Sequence, residues 1–288
     1  MRLPLGIVLA EEPATPGGWA DLGSVAAELE GVGAAGIWLT DHLCWHRPTA
    51  DALGALHQVA AATSSCTLGP LVLQLPLRDA AATAKSLSYL EHLAPGRVRA
   101  GVGLGERIEE YAAAGKAEAF RRRGRLLDEA MDGLRARWSS TSDGWAMHPG
   151  GPVPLWVGGR SEAARHRAAV RGDAWIPHFV PAPWFAEQVQ ALAADVAAAG
   201  RGADAVAPAV GLAVHVDGVE PDTDPLAWMG RLYAIRPEAF GRMLIRGSAA
   251  HVVEQLAAYE AAGATHGALL VAGDQPAAHL AALIDAAA

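Results

Sequence analysis

Val98–Glu106, VRAGVGLGE, is an apolar run that ends in a glycine-studded turn closed by one carboxylate. It reads as a buried parallel strand entering a turn without side chains, as at the carboxyl ends of barrel strands, where ligands approach the backbone closely. Alone, the Gly-x-Gly-x-Gly spacing also describes an ordinary strand-to-helix turn or a degenerate dinucleotide fingerprint. The order of the chain on either side decides between these readings.

Toward the N-terminus, a strand is expected over Thr67–Leu75, stopped by Pro76, with Asp79 preceding a helix that carries Leu87, Leu90 and Leu93. Before it, Gly36–Thr40 is a strand from which Asp41-His42 opens a polar loop to Pro48, and Asp51 caps a helix with Leu53, Leu56 and Val59. Leu3–Ala10 and Trp19–Ala34 form the first strand and helix. Toward the C-terminus come a polar helical stretch from Arg107, a helix with Leu127, Met131, Leu134 and Trp138 on one face, and a loop over Ser139–Pro152. Strands follow at Pro154–Val157, Ala174–Pro177, Val206–Val216 and Ala268–Ala272, with helices at Glu162–Arg171, Trp184–Ala199, from Ser248 to Ala262, and Pro276–Ala287. Asp217–Pro237, rich in Pro and Asp, is expected to be a lid or an irregular surface loop. Eight strands alternating with eight helices, without a composition break, make this an α/β chain. A single closed (β/α)₈ TIM barrel over 1–288 fits better than a doubly wound sheet.

The chain has 288 residues, 51% of them hydrophobic, and no apolar run of the ~18–20 residues needed to span a membrane. The apolar N-terminus runs into Glu11 and Glu12 instead of a cleavage site, so a cytoplasmic protein is expected. A net charge of -8 argues against nucleic acid and for a small-molecule substrate. Cys44 and Cys66 are too few for a disulfide framework and are expected to be free thiols.

In a barrel, the strand ends nominate the active-site rim: Glu11, Glu12, Asp41, His42, Gln74, Gly103–Glu106, Gly158–Ser161, His178, His215, Gly273 and Asp274. Gly158-Gly159-Arg160-Ser161 is the best phosphate candidate, with bared amides at a helix start, a hydroxyl and a cation; the bland alternative is a tight turn with Ser161 as N-cap. His42, Cys44 and His46 alternate, but in a loop and without further clustered donors, so no metal is expected. Arg121–Arg123 reads as a solvated helix start or a site for an anionic ligand tail.

Five stretches in order carry a resemblance: GIWLTDHL (36–43), TLGPLVLQLPLRDAAATAKSLSYLEHLAPGRVRAGVGLGE (67–106), FRRRGRLLDEAMDGLRARW (120–138), PLWVGGRSEAARHRAAVRGDAWIP (154–177) and GSAAHVVEQLAAYEAAGATHGALL (247–270). The chain resembles the bacterial luciferase-like flavin monooxygenase superfamily, especially its branch using the deazaflavin coenzyme F-420. The resemblance implies a luciferase-like barrel with the cofactor phosphate near Gly158, Gly159, Arg160 and Ser161. It also implies a bulge after Gly69 with a non-proline cis peptide at Leu71-Val72 behind the ring. Asp41, Gly103 and Gly105 complete the expected cofactor contacts. In the family's sugar-phosphate dehydrogenases, acid/base roles fall on the positions of His42 and Glu106. An imidazole, with an ordinary pKa near ~6.5, trades a proton at neutral pH, and Glu106 would do so if burial raised its carboxyl. Those relatives carry Trp four residues after the His, where this chain has His46 beside Trp45, so their substrate is not implied. The expected activity is hydride transfer between F-420 and a small organic substrate. The alternatives are a two-component monooxygenase using reduced FMN from a separate flavin reductase, a non-catalytic flavin-binding relative, and a metal-dependent hydrolase. A homodimer is expected by resemblance. Trp45, Trp228 and Tyr233 are expected to line an apolar cavity or to pack at the surface.

Overall fold

The computed structural model describes residues 1–139, 150–221 and 223–288, so most of the expected 139–152 loop lies outside the described residues. The strands are β1 (Leu5–Leu9), β2 (Gly36–Leu39), β3 (Thr67–Pro70), β4 (Leu73–Gln74), β5 (Ala100–Gly103), β6 (Leu155–Gly158), β7 (Ala174–Ile176), β8 (Ala207–Val216), β9 (Leu244–Gly247) and β10 (His266–Val271). All described pairings are parallel, in the order β3-β2-β1-β10-β8-β7-β6-β5-β4, with β9 on β8. A bridge between Leu68 of β3 and Val98, just ahead of β5, brings the two sides of that path together and closes the barrel. β3 and β4 are two halves of one barrel strand, interrupted where Leu71-Val72 is cis, as the resemblance implied.

The helices are α1 (Leu22–Gly31), α2 (Ala52–Ala62), α3 (Ala80–Leu93), α4 (Ile108–Ala113), α5 (Arg123–Ser139), α6 (Glu162–Arg171), α7 (Ala182–Ala198), α8 (Pro225–Tyr233), α9 (Ala249–Ala261) and α10 (Pro276–Ala287). Sequence punctuation sets several starts: Asp51, Asp79, Ser161 and Ser248 each accept a backbone amide in the first turn of α2, α3, α6 and α9. Side chains along the strands alternate between two apolar layers. Ile7, Leu9, Ile37, Leu39, Val157, Trp175 and Leu212 face the helices, while Val8, Trp38, Trp156, Ile176, Ala213 and Leu270 fill the barrel. Cys44 is exposed and Cys66 buried, and both are free.

Among its described residues, Asp217–Pro237 is not an irregular surface loop. The segment contains α8, whose Trp228, Met229 and Leu232 belong to the same apolar cluster as the barrel interior. It leads to β9, a strand with no counterpart in the sequence reading. α8 is amphipathic, and its apolar face is buried with Phe240 and the residues that fill the barrel.

Beneath the exit of β10, His215 and His279 pack with ring centroids 4.9 Å apart. His279 Nδ1 accepts the Val216 amide at 3.1 Å, and His215 Nδ1 donates to the Ala272 carbonyl at 2.9 Å. Burial, reinforced by His215, pushes the His279 imidazole down to about 4. The folded state therefore holds His279 neutral, whereas the unfolded chain binds its proton near ~6.5, so stability is full above that pH and falls as pH drops toward 4. Urea unfolding from pH 7 to pH 4 is expected to register this loss, on the order of 3 kcal/mol for this one group. His279→Gln, which keeps an acceptor for Val216, is expected to flatten the slope; an unchanged slope would remove His279 as its source.

Candidate active site

His42 continues the inward register of Trp38 at the exit of β2, and Asp41 points the other way. Asp41, only 5% exposed, accepts Arg78 Nη2 at 2.6 Å and Nε at 3.2 Å, and the Gln74 amide at 3.1 Å. Arg78 also reaches Asp51 at 2.8 Å, so one guanidinium joins the exits of β2 and β4 to the start of α2. Burial alone would make Arg78 easier to deprotonate, but its pairing with Asp41 outweighs that and raises its pKa. Asp41, expected among the cofactor contacts, thus has its carboxylate oxygens engaged by the protein.

His42 meets a carboxylate that sequence reading did not nominate. Glu110, in the first turn of α4 and 1% exposed, places both oxygens 3.3 Å from His42 Nδ1. It also accepts the amides of Leu43 at 2.9 Å and Cys44 at 3.4 Å, and Gln74 Nε2 at 2.8 Å. Burial works to raise its pKa, yet the bonds from His42 and Gln74 prevail and hold the carboxyl below the ordinary range. The available signal was an acid opening the helix after the glycine turn, a position that reads equally as a solvated partner of the helix dipole. Glu106, by contrast, is exposed.

Trp45 stacks on His42 with centroids 4.0 Å apart and carries the Arg107 guanidinium 4.0 Å above its ring centroid. Its Nε1 donates to the Leu232 carbonyl at 3.1 Å, and His46 Nε2 donates to Arg231 O at 3.0 Å. The zinc-like alternation of His42, Cys44 and His46 therefore dissolves: the two imidazoles serve different partners. Tyr233 continues the aromatic wall, edge-on to Trp45 and to Phe179. Trp228 is buried and donates to Asp274 at 3.0 Å, tying the other end of α8 to the exit of β10.

Across the mouth, Val72 lies on glycine. A Cβ at Gly103 would come within 2.5 Å of Val72 Cγ2, one at Gly158 within 2.9 Å of Cγ1, and one at Gly101 would overlap the Pro70 carbonyl. The glycine turn first of all admits the bulge. Gly105, at φ 70, adjoins Gln74 and Tyr111. Val72 is left partly exposed, an apolar shelf that fits the face of a planar cofactor. At the exit of β6, Gly159 has φ 125, Ser161 Oγ accepts the Ala164 amide at 3.2 Å and Arg160 is exposed. The turn thus has the N-cap of the bland reading, and the Ser161 hydroxyl hydrogen and the Arg160 cation still fit an anion. His178 rests against Gly211; burial, then nearby Arg160, push its imidazole down to about 4, so it is neutral at physiological pH.

A cleft of about 100 Å³ opens beside this mouth between the exits of β1 and β10, lined by Glu11, Thr15, Leu29, Trp228 and Asp274. Burial raises the Glu11 carboxyl despite its ion pair with Arg47, and Asp274 adds to the rise.

The chain belongs to the Luciferase-like monooxygenase family, whose profile matches residues 5–228. Among curated relatives, an F420-dependent glucose-6-phosphate dehydrogenase of Kineococcus radiotolerans is 34% identical over 193 residues, 60% of this chain and 56% of that protein. The chain thus matches a little over half the length of that relative. Among solved structures, an F420-dependent secondary alcohol dehydrogenase in complex with an F420-acetone adduct superposes with a TM-score of 0.85 at 18% identity, covering 100% of both chains. The oxygenating constituent of 3,6-diketocamphane monooxygenase from Pseudomonas putida, in complex with FMN, gives 0.73 at 15% identity, covering 98% of this chain and 96% of that one. These likenesses share the barrel.

Gly101→Ala is expected to dislodge the bulge, because the obstructing atom is backbone and cannot rotate away. A loss of about 2 kcal/mol or more in thermal or urea unfolding is the expected reading; wild-type stability would mean that the Val72 seat tolerates a methyl group.

Proposed function

We propose that this chain is an oxidoreductase that transfers hydride between coenzyme F-420 and a carbinol or carbonyl carbon of a small organic substrate. One observation carries the reading: an oriented imidazole, His42, faces the barrel mouth in a closed barrel that also offers the Val72 shelf. The curated relatives named for F420-dependent dehydrogenation support it. Bound deazaflavin supplies the hydride chemistry. Among the chain's own residues, Leu71-Val72, Gly103 and Gly158 shape the shelf, while Gly159, Arg160 and Ser161 hold the phosphate. His42 takes or returns the proton of the substrate oxygen. The Trp45–Tyr233–Phe179 wall favours an apolar substrate over a sugar phosphate. A cytoplasmic homodimer belongs to the same proposal.

The second reading, a monooxygenase supplied with reduced FMN by a separate reductase, draws on the likeness to the FMN-bound structure. Fluorescence titration separates them: F-420 is expected to bind at roughly micromolar concentration and more tightly than FMN, a range typical of a small-molecule ligand. His42→Ala is expected to keep that affinity and lose about 10²- to 10⁴-fold in turnover. Failure to bind either cofactor would end both readings, and oxygen uptake with reduced FMN alone would favour the second.

A further inference from the structure

An imidazole accepts a proton from a reacting oxygen only when the nitrogen facing that oxygen is the unprotonated one. We propose that Glu110 is the positioning residue that fixes His42 as its Nδ1–H tautomer, leaving Nε2 as the free proton acceptor at the barrel mouth. The consequence for turnover rests on the F-420 reading; the tautomer itself does not.

The hydrogen-bond inventory around Nδ1 leaves one solution. Gln74 Nε2 lies 3.1 Å from Nδ1, but its two hydrogens go to Glu110 Oε2 at 2.8 Å and to the Asp41 carbonyl at 3.2 Å. Both partners are pure acceptors, which also settles the amide orientation, so Gln74 has no hydrogen left for Nδ1. The amides of Leu43 and Cys44 are spent on Glu110 Oε1. Nδ1 is therefore left facing a carboxylate kept ionised by those donors. A bare Nδ1 would set lone pair against lone pair; an Nδ1–H instead donates to Glu110. Among the described residues no partner engages Nε2. Turning the ring over would put Cδ2 where Nδ1 meets Glu110 and lose that bond, and Trp45, itself held by Leu232 and Arg107, stacks on one face at 4.0 Å in the present orientation. This division of labour is that of the aspartate–histidine pair in serine proteases, with the carboxylate reaching substrate only through the imidazole.

The test is ¹H–¹⁵N correlation of histidine-labelled, cofactor-free protein at pH 8, with His42 assigned through His42→Gln. The wild type is expected to show a protonated Nδ1 and a bare Nε2; a protonated Nε2 would overturn the proposal. In Glu110→Gln, the new amide keeps an oxygen for Leu43 and offers hydrogen to Nδ1, so the proton is expected on Nε2. Turnover with F-420 is then expected to fall about 10²- to 10⁴-fold without a change in F-420 affinity. Glu110→Asp, which retains the charge, is expected to recover the wild-type tautomer and part of the rate. An unchanged tautomer or wild-type turnover in Glu110→Gln would refute the positioning role. Should that variant not fold, the wild-type spectrum alone decides. A correct tautomer in a protein that binds no F-420 would uphold this inference and overturn the proposed function.

Discussion

A carboxylate removed from water must be surrounded by donors or it costs several kcal/mol, and Glu110 imposes that demand at the centre of this site. Its donors come from the loop after β2, from Gln74 at the end of β4 and from His42. A six-residue helix following β5 thereby gathers three adjacent strand exits around one charge. Asp41 does the same on the outer side through Arg78, which extends the network to α2. The two carboxylates flank Gln74, whose backbone amide serves one and whose side chain serves the other. Few side chains there can move alone.

The second constraint is steric. Val72 projects toward three glycines on two neighbouring strands, so bulge and shelf are one object. Opposite it, α8 brings Tyr233 against Phe179 and anchors Trp45 through a main-chain carbonyl. One wall is shaped by missing side chains and the other by aromatic ones, with His42 between Trp45 and Glu110.

The barrel was legible because its evidence is repetitive: apolar strands, helical spacings and caps such as Asp51 and Ser248 all agree. His42 and the glycine turns were legible because they sit at strand exits. Glu110 was not, since an acid in a first helical turn looks solvated until tertiary contacts bury it. Nor was it visible that the glycines of 101–105 accommodate protein before ligand: glycine announces a close approach without naming what approaches. α8 escaped notice because Pro and Asp, read as loop residues, here form its start, with Asp224 as cap and Pro225 in the first turn. The cis peptide at Leu71-Val72 came from family resemblance, as nothing local in Pro-Leu-Val-Leu signals it.

β8 changes partners along its length. Its first residues pair with β7, while Ala213–Val216 pair with Leu244–Gly247 of β9. The wall therefore gains a strand only near the mouth, where the spacing of neighbouring strands adds about 4.8 Å to the circumference. The excursion leaves from the end of β8 and returns beside it, where the Asp217 amide meets the Gly247 carbonyl at 2.9 Å. It is inserted at a single strand, yet Trp228, Met229 and Leu232 pack with the barrel interior and Trp228 bonds Asp274, so its sequence is tied to the wall it covers. Because α8 also holds Trp45 through the Leu232 carbonyl, a change in the excursion reaches the ring stacked on His42, so what the mouth admits is coupled to how the imidazole is held.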